Sequence, residues 1–295
     1  MADQPIVSVI YVSMNHAAYI ERSAQSLSDQ TLRNIEVMYV DNNSSDNSFE
    51  ICNNILSKSG LAYQSFMRTE NYSLSANLNF LIKQSTGKYI SILSADDFFD
   101  AHNLEEKARF YDQHPEFGMI YGNGYYYYYN TGKAELMDSS NYKSGYVFED
   151  ILSGNFINSI GTLVSRKTLD AVGLFDENSL IEDWEMWIRI AEKYPIGYLD
   201  KPLVYYGRQT GTNVSDDRAF MDKGVDYIFN KYASHKDIKK AKQKYMLFHV
   251  YMIADQRPSF NNLRFILKHF QFNFIYFKQL MKFCKNLFFF RKRKN

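Results

Sequence analysis

Two adjacent carboxylates, Asp96 and Asp97, close residues 88–99 (Lys-Tyr-Ile-Ser-Ile-Leu-Ser-Ala-Asp-Asp-Phe-Phe) of this 295-residue chain. The apolar and β-branched run Tyr89 to Leu93, preceded by the Thr86-Gly87 breaker, reads as a buried strand. Side by side at a strand end, two carboxylates repel each other and lose hydration unless something positive sits between them. A hard divalent cation with oxygen ligands, Mn2+ or Mg2+, is the usual solution, and such ions also bind substrate phosphates. Open α/β sheets take their ligands at the carboxyl ends of strands, which is where this pair lies. The competing reading is structural: Asp97 or Asp100 caps a helix starting near Asn103.

Three further acids stand where chemistry can happen. Asp41 ends a second apolar run, Ile35 to Val40, on the same sheet edge as Asp96. A carboxylate there accepts hydrogen bonds from a base or ribose, or else it caps its own turn, Asp41-Asn42-Asn43-Ser44-Ser45-Asp46. Glu182 and Asp183 open an amphipathic helix whose apolar positions 184, 187, 188 and 191 make one face. The helix dipole stabilises carboxylates in a first turn; alternatively, one of the two faces the active site as a general base. Position alone does not choose between these.

The elements that must position the acids alternate along the chain. Ile6 to Ser13 predicts a first strand, and Ala17 to Leu27 an amphipathic helix after the Asn15-His16 turn. The second strand leads through a Ser44 or Ser45 N-cap into a helix with Phe49, Ile51, Ile55 and Leu56 among its apolar positions. Tyr63 to Met67 reads as a third strand and Ser73 to Gln84 as a helix before the organising strand. This alternation predicts an α/β fold: a mostly parallel central sheet with helices on both faces. Beyond residue 100, Phe117 to Tyr121 predicts a strand, and Tyr125 to Tyr129 with Asn130-Thr131-Gly132 a hairpin. These tyrosines either line a sugar site or alternate in burial along a two-sided strand, and the pattern favours the second. Phe148 to Leu152 is a short helix, Ile160 to Val164 a strand, and Ala171 to Gly173 a helix end closed by glycine.

The length suits one large α/β domain, alone or with an appendage. Tyr and Phe are abundant, at 24 and 23 residues, which suits carbohydrate stacking, a membrane interface or plain core packing. A formal net charge of +1 gives no electrostatic case for nucleic acid. The distribution is uneven, because Arg257 to Asn295 holds ten Lys or Arg and no acid. Within it, Ile266, Phe270, Phe274, Phe277, Met281, Cys284 and Phe288 fall at helical spacing. The pattern predicts a basic amphipathic helix over 263–295 on an anionic membrane surface, in preference to a helix docked on the catalytic domain. Cys52 and Cys284 have no metal spacing and read as buried or lipid-facing thiols in a reducing compartment. Neither a secretory leader nor a membrane-spanning run is evident. The expected location is cytoplasmic, peripheral at the inner face of the cell membrane.

Five pieces, in order, resemble family 2 glycosyltransferases over roughly residues 5 to 215, with their GT-A fold. Val7-Ser8-Val9-Ile10 with Asn15 resembles the opening strand and turn. Gln30-Thr31, then Glu36-Val37 through Val40-Asp41 to Asp46, resembles the second strand and its nucleotide-contacting Asp. Asn71 to Ala76, then Asn79 and Gly87-Lys88-Tyr89-Ile90, resembles the segment before the Asp-x-Asp-type motif, and Ala95-Asp96-Asp97 resembles that motif. Gly173-Leu174-Phe175-Asp176, followed by Glu182-Asp183-Trp184-Glu185-Met186-Trp187, resembles the acceptor-side segment with its catalytic acid. The departures are Ser94 where many members carry another Asp, Ser73 where they carry Gly, and Arg208-Gln209 where they carry Arg-x-His. The Gln-x-x-Arg-Trp signature of processive synthases is missing, which favours a single addition.

The resemblance implies roles for residues that match its motifs. Asp41, Asp96, Ser13 and Asn15 would bind the nucleotide, and Asp97 would coordinate Mn2+ or Mg2+ on the diphosphate. Asp183 would be the general base. Glu182, Trp184 and Asn71 would lie at the acceptor or donor-sugar site, and Arg208 would contact a phosphate. The implied layout is a GT-A domain over 1–215, with a nucleotide half to about residue 100 and an acceptor half over 101–215. A helical region over 216–295 would carry the tail. The expected reaction is inverting transfer of one sugar from a nucleotide-diphosphate donor, a UDP-sugar first, to a lipid-linked oligosaccharide or cell-surface glycan precursor. One rival is a sugar-nucleotide pyrophosphorylase, which would need a glycine-rich basic loop where Ser13-Met14-Asn15-His16 stands. The other is a non-catalytic glycan- or membrane-binding protein.

Overall fold

The computed structural model describes residues 4–208, 217–255, 277–278, 280–283 and 285. By internal contacts the chain divides into two compact units, Met1–Ile151 with Phe156–Lys231 and Leu152–Asn155 with Tyr232–Asn295. Every described site residue belongs to the first.

That unit is built on one sheet. Strands β1 (Val7–Ser13), β2 (Ile35–Asp41) and β4 (Tyr89–Ser94), with β3 (Ala62–Met67) at the edge, run parallel in the order β3-β2-β1-β4. Every residue of β1 and β2 is buried, so both read as near-continuous apolar runs, as strands covered on two faces do. The edge strand β3 alternates exposed and half-buried residues instead. Between these strands lie α1 (Ile20–Ser28), α2 (Ser48–Leu56) and α3 (Leu74–Gln84). The register pairs Ser13 with Asp41 and Val12 with Ser94, so β1, β2 and β4 end level with one another. At their opposite ends Gly87 lies against β1, where a Cβ would stand 2.5 Å from Ser8 Oγ.

The second half continues the sheet as β8-β6-β9-β5, with β8 (Leu163–Ser165) antiparallel to β4. Long strands β6 (Met119–Tyr128) and β9 (Ile196–Arg208) run parallel across two irregularities around Asn123. The short strand β5 (Phe98–Phe99) follows Asp97 and pairs with Tyr205 and Val204 of β9. Strand β7 (Lys133–Leu136) folds back on β6 as the expected hairpin, with Gly132 at φ +67°. Flanking these are α4 (Asn103–Gln113), α5 (Phe148–Leu152), α6 (Arg166–Val172), α7 (Glu182–Lys193) and α8 (Arg218–Lys231). Gly173, at φ +86°, closes α6 as predicted. The second unit contains α9 (Ile238–Asp255).

The caps differ from expectation. Helix α2 starts at Ser48 rather than after Ser44 or Ser45, because Ser44 is spent on Asp41 and Asp46 takes the Ser48 N–H. Ser73, expected inside α3, is its N-cap and accepts from the Ala76 N–H at 3.2 Å. Neither Asp97 nor Asp100 caps α4, whose N-cap is His102. Among the described residues no helix is long and apolar enough to cross a membrane. The predicted tail helix falls almost wholly outside the described residues, as do Cys284 and Gln209. Cys52 is buried.

Candidate active site

At the ends of β1 and β2, hydrogen bonds build a cradle around Asp41. Its Oδ2 accepts from the hydroxyls of Ser13 at 2.7 Å and Ser44 at 2.6 Å, and its Oδ1 accepts from the Ser44 N–H at 2.8 Å. Asp41 and Ser13 are both fully buried, so the carboxylate is fixed before any ligand arrives. Two asparagines shape the surrounding turns in the left-handed region, Asn15 at φ +56° and Asn43 at φ +60°. Asparagine tolerates this region better than most residues. Asn15 Oδ1 accepts from the Ser45 N–H at 2.9 Å, tying the β1 turn to the β2 turn. Asn43 donates to Asn71 Oδ1 at 3.2 Å, and Asn42 exchanges two bonds with the Tyr72 backbone. Ser13, Asn15, Asp41 and Asn71 therefore belong to one bonded group.

The β4 turn brings the second group. The Ala95 N–H donates to the Val12 carbonyl at 3.1 Å, which seats Asp96 and Asp97 beside the β1 end. Asp96 and Asp97 are only 8% and 4% exposed. Burial raises the pKa of the Asp96 carboxyl, partly offset by nearby His16. Asp97 is pushed well above the ordinary carboxylate range, by burial first and then by the charge of Asp96. The Gly207 N–H donates to Asp97 Oδ1 at 2.8 Å. Tyr129 donates its hydroxyl to the Asp96 carbonyl oxygen at 3.0 Å.

This donor set fits a hard cation of a particular kind. Two adjacent carboxylates, both disfavoured as anions by burial, gain most from a positive charge at the pair. Among the described residues no group of three or more His, Cys, Asp or Glu is placed to enclose a metal. Mg2+ and Mn2+ sites of one or two carboxylates complete their shells with water and substrate phosphate oxygens. The pair matches that class rather than a closed structural site.

A third group stands at the start of α7. Glu182 is pushed up to about 8 by burial and by the neighbouring charge of Asp183. Asp183 Oδ1 accepts from the Trp184 N–H at 2.6 Å. Buried anchors hold the turn. Trp184 is 2% exposed, donates its indole N–H to the Ile151 carbonyl at 2.6 Å and meets Phe229 edge-on. That places the indole in the core beneath the turn. Glu185, fully buried, receives both Arg189, at 3.0 Å to each carboxylate oxygen, and Lys231 at 2.7 Å. Arg189 also donates to the carbonyls of Val172 and Leu174, holding the segment that precedes α7. Asn79 of α3 reaches the same segment through Phe175.

The guanidinium of Arg208 lies 5.6 Å from the Tyr126 ring and 5.5 Å from the Tyr206 ring. Its chain neighbour Gly207 carries the bond to Asp97. Sequence reasoning assigns no site role to Gly207 or His16, and favours burial over a site role for Tyr129. Tyr129 ends a tyrosine run whose alternation read as burial, and a backbone N–H leaves no side-chain signal.

Comparison with known proteins accords with this architecture. The family model for glycosyl transferase family 2 matches residues 8–172, the span that contains Asp41, Asp96 and Asp97. An uncharacterized glycosyltransferase of Rickettsia felis is 31% identical over 219 residues, which is 73% of this chain and 34% of that protein. The chain thus spans about a third of that relative's length. Two solved structures share the fold. TarS 1–349 of S. aureus, in complex with UDP-GlcNAc, superposes with a TM-score of 0.65 at 19% identity, covering 94% of this chain and 79% of that one. The mannosyltransferase PcManGT of Pyrobaculum calidifontis, in complex with GDP-Man and Mn2+, gives 0.66 at 17% identity, covering 97% and 88%. With a family model spanning the acidic cradle and a GT-A sheet carrying it, the chain belongs to glycosyl transferase family 2.

Proposed function

We propose that the chain transfers a single sugar, with inversion, from a nucleotide diphosphate donor to an acceptor hydroxyl. The observation that carries the reading is the buried Asp96–Asp97 pair, raised in pKa and seated beside the pre-bonded Asp41 cradle. In this reading Asp41, held by Ser13 and Ser44, accepts from the base or ribose, and Asn15 and Asn71 shape the rim. Asp96 faces the ribose, and Asp97 ligates Mn2+ or Mg2+. The bound cation would neutralise charge accumulating on the departing diphosphate. Arg208, the residue after Gly207, is the proposed phosphate contact.

Asp183 is the proposed general base. Burial, and then the neighbouring charge of Asp183, push the Glu182 carboxyl up to about 8, so the two carboxyls are not equivalent. Neighbouring carboxyls driven apart in this way divide between neutral and ionised roles. Attack by the activated hydroxyl opposite the diphosphate inverts the anomeric centre.

Uridine is the proposed nucleotide, supported by the fold shared with TarS in complex with UDP-GlcNAc; guanosine is the alternative, given PcManGT with GDP-Man. The acceptor class proposed is a lipid-linked oligosaccharide or cell-surface glycan precursor, motivated by the basic, aromatic sequence over 263–295. With it goes a peripheral place on the inner face of the membrane. A panel of UDP- and GDP-sugars, incubated with the protein with and without EDTA, tests the reading through released nucleotide. Hydrolysis of one donor that stops on chelation is expected. Release unchanged by EDTA contradicts the role of Asp97, and no release or binding for any donor favours a non-catalytic glycan-binding protein.

A further inference from the structure

The ends of β6 and β9 close on the Asp96–Asp97 turn from one side. Gly207 donates its N–H to Asp97 Oδ1 at 2.8 Å. A Cβ at Gly207 would stand 2.1 Å from the Asp96 carbonyl oxygen and 2.9 Å from the Tyr129 ring. The first of these contacts is with backbone, which cannot swing aside as the end of a long side chain can. Tyr129 donates to that same carbonyl oxygen, and its ring is held against Tyr19 and Tyr127 at centroid distances of 4.5 and 5.1 Å. Thus the carboxylate of Asp97 and the backbone of Asp96 are each gripped by a neighbouring strand.

A carboxylate that ligates a cation needs an orientation as well as a charge. One donor on one oxygen fixes the torsion of the group and leaves the other oxygen for the ion, and such supports set much of a metal site's affinity. We propose that Gly207 is the positioning residue for Asp97: its N–H aims the carboxylate, and its bare α-carbon lets β9 come close enough to do so. This rests on the reading of Asp97 as a cation ligand given above. Tyr129 completes the grip by fixing the Asp96 carbonyl.

The test titrates Mn2+ into the full chain in the presence of UDP, following free Mn2+ by electron paramagnetic resonance. UDP affinity in EDTA is measured separately. Gly207→Ala is expected to weaken Mn2+ binding about tenfold or more, a larger loss than any it causes in UDP affinity measured in EDTA. A folded Gly207→Ala protein that binds Mn2+ like wild type overturns the proposal. If that variant does not fold, hydrogen exchange of the Gly207 amide in the unmutated protein decides. Protection that disappears in Asp97→Ala supports the bond, whereas exchange as fast as that of an open loop overturns it. Asp97→Ala also separates the two levels of argument. If it binds Mn2+ as tightly as wild type, the cation reading itself fails; if it loses the ion while Gly207→Ala keeps it, only the role of Gly207 fails.

Discussion

The candidate carboxyls differ in what their surroundings ask of them. Asp41 is given three donors, which fix both of its carboxylate oxygens in place. Asp96 and Asp97 are both buried, and Asp97 also meets the charge of Asp96, so their anionic forms are costly until a cation arrives. Glu182 is pushed up by burial and by the neighbouring charge of Asp183. From this difference follows a prediction about the base. Asp183→Asn should lower transfer by about 10²-fold or more, the usual scale of general-base assistance. UDP binding should be unchanged in this variant, as read by calorimetry; near-normal turnover would remove Asp183 from the role.

At the scale of elements, the sheet ends position Asp41, Asp96 and Asp97, and the start of α7 positions Glu182 and Asp183. The helices and central strands were legible because their apolar positions recur at the right periods: α5 spans Phe148–Leu152 as expected, and positions 184, 187, 188 and 191 of α7 are all buried. The two-residue strand β5 was not legible, since two phenylalanines carry no period. Nor was the meeting of Gly207 with Asp97, a long-range bond from a backbone N–H to a side chain across 110 residues of chain. The acidic pair and Asp41 could be read because carboxylates after apolar runs are chemically conspicuous, whereas Ser44, which holds Asp41 through two bonds, reads as a helix cap. Lys107 of α4 was also unforeseen. It is fully buried, donates to the Gly161 carbonyl at 2.8 Å, and burial lowers its pKa from 10.5 to about 7. Between those two values the unfolded chain binds a proton that the folded one does not, so this lysine's contribution to stability falls as pH drops from 10.5 to 7 and then levels off. Lys107→Met removes that slope. Its stability relative to wild type, measured by urea unfolding, should therefore rise as pH is lowered across this range. A pH-independent difference would show that Lys107 is not buried as a neutral amine.

On the scale of the whole molecule, two arrangements matter. One is the basic, aromatic sequence at the carboxyl end, where each cation near an anionic surface contributes on the order of 1 kcal/mol. The full chain should sediment with vesicles containing anionic lipid and be released by high salt, and a chain ending at residue 262 should stay in solution. Equal sedimentation of the two would place the membrane contact elsewhere. The other is the convergence of Asp41 from β2 with Asp96 and Asp97 from β4, brought together because parallel strands end level. If these acids share one donor, nucleotide and cation must bind as partners. The affinity for UDP, measured by calorimetry with saturating Mn2+ and again in excess EDTA, tests this most directly. The expected result is markedly tighter binding with Mn2+ in the wild-type chain and no such gain in Asp97→Ala. Equal UDP affinity in Mn2+ and in EDTA would contradict the account.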